Sequence, residues 1–236
     1  TNQIAGMKAT QIKAIETRDL AGLTSAQMVA LSATQLAAFS NNQLNALSTT
    51  QVAAIETADL AAMSTKQIAM FSANQIANMS TSQVSNLRAY QVAALSTDGI
   101  AAMSSNQIRS LSVSQLAALK PAQIQAMTSA QFSALSTDLI QGLTAKQMAA
   151  IETRDLAGLS TSQIAGLNSS QVSGFTGAQL ASLSNGQVTA VDTADLTSVR
   201  GNEFASFTST QVQAMSTSQI NALTKSQITK LGVPAL

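Results

Sequence analysis

Large apolar residues return along this chain with a period of eight. Cut from Met7, the sequence falls into MKATQIKA, IETRDLAG, LTSAQMVA, LSATQLAA and onward to LTKSQITK at 223–230, giving 28 complete octads with no insertion or deletion. Positions 1 and 6 of the octad are apolar in all 28. Position 2 is Ser or Thr in 19 octads, position 5 is Gln in 21, and position 8 is Ala, Gly or Ser in 24. Positions 3, 4 and 7 vary and are mostly small or polar. Two positions that stay apolar through 28 octads without a slip of register exclude accidental low complexity.

The polar positions predict where helices begin. Ser or Thr at position 2 and Gln at position 5 make the pattern S/T-x-x-E/Q, a capping box. The hydroxyl accepts from the amide at the third helical position, and the Gln side chain reaches back to the cap amide. Position 1 then precedes the cap and position 6 is the fourth helical residue, the two sites of a hydrophobic staple. Pro121 falls at the first helical position, where a missing N–H is harmless. The pattern predicts one helix start per octad.

A single long helix does not fit. At roughly 100° per residue, eight residues advance about 80° beyond two turns, so positions 1 and 6 would wind around the helix without forming a stripe. A β-solenoid is the alternative fold. It conflicts with the direct succession of positions 8 and 1, which breaks a period of two, and with abundant Ala. Eleven Gly and two Pro are also few for so many tight corners. The expected fold class is therefore all-α: a solenoid or spiral of very short capped helices, one per octad. Each helix falls far below the ~12–15 residues needed for independent stability and must stack on its neighbours. Residues 1–236 read as one repeat array, with partial octads at 1–6 and 231–236.

A longer period overlies the octad. IETRDLAGL at 15–23 returns unchanged at 151–159, a numbering shift of 136 that defines a super-repeat. At the same shift Phe39 maps to Phe175, Phe71 to Phe207, and IETADL at 55–60 to VDTADL at 191–196. A weaker spacing of 40 places acidic octads at 15, 55, 95 and 135.

Composition narrows the function. The chain has no Cys and no His, so disulfides, Cys/His zinc sites and His- or Cys-dependent triads are excluded. A polyanion-binding protein should carry a basic patch, and a formal net charge of +1 with scattered Lys and Arg does not supply one, so no nucleic-acid partner is expected. No apolar run is long enough to span a bilayer. All nine Met occupy positions 1, 6 or 8, where Met serves as core filling.

The candidate metal ligands are the carboxylate pairs at positions 2 and 5: Glu16 and Asp19, Glu56 and Asp59, Glu152 and Asp155, Asp192 and Asp195. Calcium between neighbouring turns is one reading. The favoured reading is a variant cap, with Thr17, Thr57, Thr153 or Thr193 assisting and Arg18 and Arg154 pairing locally. No metal or cofactor is expected. The pairs recur where an active site should be unique, so no enzyme is expected either. Lys8, Arg88, Lys120 and Arg200 replace Ser at position 2, where a cation is unfavourable. Asn168-Ser169-Ser170 fits a glycan acceptor pattern on three residues alone.

The octad L-S/T-x-x-Q-I/V-x-A resembles repeat arrays of large bacterial secreted and surface proteins of the adhesin-like type. The resemblance implies an extracellular or cell-surface location and a structural or adhesive role. The expected function is a structural repeat protein: a rod, stalk, sheath or self-assembling filament subunit. The alternative is an adhesin, or a repeat module binding a surface, glycan or ice. Ile4 stands at a core position with no polar cap before it, and Val233, Pro234, Ala235 and Leu236 are apolar or small. Head-to-tail association of identical chains is the expected partnership.

Overall fold

The computed structural model describes residues 2–231; Val233 to Leu236 lie outside the described residues. Among the described residues there are 29 α-helices of four to six residues and no strand. The β-solenoid alternative is excluded. The chain divides into two compact units, Thr1–Leu119 and Lys120–Leu236, each built from the same octads.

One octad shows how the local structure arises. Ser72 is extended, with φ −69° and ψ 159°, and the helix Ala73–Ala77 follows it. The Ser72 hydroxyl accepts from the Gln75 amide at 3.3 Å, and the Ser72 amide donates to Gln75 Oε1 at 2.8 Å. Both halves of the capping box are therefore made, and they satisfy amides that a helix start leaves open. The helix ends in a tight closure, with the Met79 amide donating to the Ile76 carbonyl at 3.1 Å. The next cap residue, Ser80, is again extended at φ −69° and ψ 157° and starts the following helix. No left-handed glycine is needed at these corners, which is why a chain of so many turns manages with few glycines.

Within each unit a helix packs on its third neighbour. In the first, Ala73–Ala77 lies against Thr97–Ala102; in the second, Thr161–Ala165 lies against Asn185–Ala190. One turn of the coil thus takes between three and four octads. Position 6 forms the centre of the core: Leu36, Leu44, Val52, Leu60 and Ile68 are fully buried in the first unit, and Ile124, Leu156, Val188 and Phe204 in the second. Position 1 lines the same core at slightly greater exposure, as at Leu47, Phe71, Leu135 and Leu159. Seven Met are buried with them, while Met7 and Met70 are half-buried.

Small residues at position 8 permit close approach of the turns. At Gly174 an added Cβ would lie 2.5 Å from the Ala145 carbonyl oxygen and 2.8 Å from its Cα. Other residues near the helix ends use the proximity for hydrogen bonds. The Ser198 hydroxyl, at position 8, donates to the Ser169 carbonyl at 2.8 Å, and Ser133, one position earlier in its octad, donates to the Gly158 carbonyl at 2.9 Å.

Candidate functional site

The recurring polar site of this molecule is position 5. Its Gln side chain has two jobs, of which the capping box is one. Oε1 faces its own cap amide. Nε2 points the other way, into the previous turn of the coil. Gln75 Nε2 donates to the Leu44 carbonyl at 3.0 Å and to the Leu47 carbonyl at 2.7 Å, 31 and 28 residues earlier. The same pair of acceptors recurs from Gln35 to Gln115 in the first unit and from Gln163 to Gln227 in the second. These side chains are buried, and each sews a helix to the corner between the third and fourth helices before it. A buried amide needs partners for both ends, and this geometry supplies them.

Sequence reasoning found the first job and missed the second. A capping box accepts Glu as readily as Gln. Yet Gln fills position 5 in 21 octads and Glu in one, Glu203. That preference was the available signal, because only the amide can donate a hydrogen bond to a carbonyl.

Where position 5 is acidic the bonding changes direction. A carboxylate cannot donate to carbonyls, and it turns instead to the first residue of the helix three back, where amides are open. Asp155 Oδ1 accepts from the Ser129 hydroxyl at 2.5 Å, and Asp195 accepts from the Ser169 hydroxyl. Glu203 accepts from the Gly177 amide, and Asp59 from the Ala33 amide. All four contacts have the same separation in sequence, one coil turn. Gly99 marks a third solution: an added Cβ would meet Ile76 Cδ1 at 2.5 Å, so the backbone itself fills the space.

The structure places the carboxylate pairs residue by residue. Arg18 bridges Glu16 at 2.9 Å and Asp19 at 3.6 Å on the surface. Arg154 pairs with Glu152 at 2.7 Å and lies 3.5 Å from Asp155, whose side chain is only 2% exposed. Asp192 accepts from the Ala194 amide at 2.8 Å and caps its own helix. Glu16, Glu56 and Glu152 make no side-chain cap, so they are not the variant caps that their position predicts. Asp59, Asp155 and Asp195 each also contact another turn of the coil. Among the described residues no three carboxylates gather in a group able to hold a metal. Asp59 has its carboxyl pushed above the usual range, by burial first and the neighbouring Glu56 charge second, against the pull of the Ala33 amide.

The cations at position 2 leave half a box intact. Lys8, Arg88 and Lys120 offer no oxygen to the helix, but their amides still donate to Gln11, Gln91 and Gln123 at 2.8 Å. Arg200 lies 3.4 Å from Glu203. Asn168 is an ordinary N-cap, its Oδ1 accepting from the Gln171 amide at 3.1 Å. No described helix is long and apolar enough to cross a membrane.

Comparison with known families agrees with this architecture. The model of the ALTTAQ repeat matches at residues 12–49, 52–89, 113–145 and 148–185, together more than half of the chain. The first two matches begin at 12 and 52, the same offset that separates the acidic octads at 15 and 55. No curated protein matches the sequence.

Proposed function

The chain belongs to the ALTTAQ repeat family, and we propose that it is a non-enzymatic structural protein that assembles end to end outside the cell. In this reading it serves as a rod, stalk, sheath or filament subunit, on a bacterial surface or in secreted material. The absence of Cys and the resemblance of the octad to adhesin-like arrays support the location.

One observation carries the assembly. The first and last described turns present opposite halves of the interface that every interior turn completes. At the last turn the position-6 side chains Ile220 and Ile228 are 38% and 36% exposed, where their interior equivalents are buried. At the first turn Gln11 is exposed and Ile15, Leu23 and Gln27 are half-buried, where interior equivalents are buried. Further octads of the same kind, in this chain or in a second copy, supply corner carbonyls to the first-turn Gln side chains and cover Ile220 and Ile228. Between copies, such a contact is heterologous and propagates.

Sedimentation of the purified chain tests this. The expected result is concentration-dependent oligomers or fibres that Ile220→Glu with Ile228→Glu reduces to monomer without loss of helicity. A monomer across the whole concentration range contradicts it. The alternative role, an adhesive module, draws support from a groove in the first unit.

A further inference from the structure

The first unit carries a surface groove that the packing does not explain. Its two parts meet at Phe39 and Asn41. One is lined by Lys13, the other by Lys66 and Tyr90, and both are shallow and open to solvent. Small side chains and seryl and threonyl hydroxyls, Thr65 among them, line most of the rest, and no carboxylate is present among the described lining residues. Tyr90 is the chain's single Tyr in a protein with 3% aromatic residues, and it is 52% exposed. The Arg88 guanidinium stands over its ring, 6.0 Å from the centroid.

The chain contains its own control. In the second copy of the super-repeat the core positions persist, as Phe39 to Phe175 and Phe71 to Phe207. The groove's two lysines and Tyr90, and the Arg88 that stands over that ring outside the groove lining, do not. Lys13 becomes Ala149, Lys66 becomes Asn202, Arg88 becomes Thr224 and Tyr90 becomes Ser226. The octad fold therefore requires none of these four side chains. A cleft in the second unit, lined by Glu152 and Arg154, has its cation already paired at 2.7 Å.

We propose that this groove binds an acidic polysaccharide of the uronate type. The exposed Tyr90 ring offers a flat surface for the C–H face of a pyranose. Lys13, Lys66 and Arg88 hold carboxylates along the strand by charge-assisted hydrogen bonds. Asn41 and the hydroxyls suit ring hydroxyl groups. A neutral glycan leaves the cations unused, and a nucleic acid needs a denser basic surface than three cations provide. The groove lies within one unit, so the proposal is independent of end-to-end assembly.

The experiment uses the full chain, in which Tyr90 is the only source of Tyr or Trp fluorescence. Titration with polygalacturonate at low salt should give a saturable change in emission, with dextran giving none. Lys66→Ala should weaken Kd by about tenfold, equivalent to ~1.4 kcal/mol, and Asn202→Ala should leave it unchanged. Circular dichroism establishes that each variant is folded. As a second readout, Tyr90→Ala should lose retardation in a polygalacturonate-containing gel. No emission change with polygalacturonate, an equal change with dextran, or undiminished affinity in Lys66→Ala overturns the site. Tighter binding of dextran sulfate or single-stranded DNA than of polygalacturonate overturns the uronate assignment.

Discussion

The side-chain amide nitrogen of Gln75 donates to the carbonyl oxygen of Leu44 at 3.0 Å, although 31 residues separate them. The Leu44 carbonyl also accepts from the Leu47 amide at 3.3 Å, the bond that closes its own helix. Gln75 meanwhile caps the helix Ala73–Ala77 through its oxygen. One side chain thus joins the start of one helix to the end of another. Helices of four to six residues cannot persist alone, and this link, with burial of positions 1 and 6, makes each depend on the turn before it.

Register follows from that link. Removing the whole octad 159–166 leaves later Gln side chains facing position-6 and position-1 carbonyls of other octads. Removing 163–166 alone presents positions 2 and 5 instead and turns the apolar residues outward. The first variant should keep a cooperative thermal transition by circular dichroism, and the second should lose it. Equal transitions contradict the solenoid register.

Close approach at position 8 is tested by glycine. Gly174→Ala should destabilise by about 1–3 kcal/mol, the range for overpacking, because the clash is with the Ala145 backbone. Gly186 is helical, and an added Cβ there meets nothing nearer than Thr161 Cγ2 at 3.7 Å. Gly186→Ala should therefore be neutral or stabilise by up to about 1 kcal/mol. Urea unfolding midpoints check both, and similar effects at the two sites contradict the packing.

Asp59 gives a pH dependence of unusual sign. Its carboxyl titrates above the ordinary range in the folded chain, so the folded state binds its proton more tightly than the unfolded state does. The stabilising contribution is complete below the unfolded value and is lost as pH rises through the raised folded value. Asp59→Asn should raise the urea midpoint at neutral pH and flatten its dependence in the acid range just above the ordinary carboxylate value. A lower midpoint at neutral pH contradicts this assignment.

Much of the fold was legible in the sequence because the cues are local. Ser72, Gln75 and Ile76 lie within one octad, and capping and staple chemistry depend only on their spacing. The number of octads per turn was not legible, since it is set by contacts between residues a full coil turn apart, such as Ser129 with Asp155 and Leu44 with Gln75. For the same reason the acids were misread. Asp155 looked like a partner of Glu152 within its octad, but its hydrogen-bond donor is Ser129, on another turn. The groove beside Tyr90 escaped notice because Lys13, Asn41 and Lys66 come together only through stacking.

The most direct measurement compares Gln75→Glu with the parent chain in urea at neutral pH. Both side chains carry the oxygen that a capping box needs. Only Gln donates to the Leu44 and Leu47 carbonyls, and a Glu there buries a carboxylate against two carbonyl oxygens. The account predicts destabilisation of about 3 kcal/mol or more, the scale for an uncompensated buried charge, with the loss diminishing at acid pH as the introduced carboxylate protonates and regains a donor. An unchanged midpoint at neutral pH would show that capping alone accounts for the Gln, and would contradict the sewing of turn to turn.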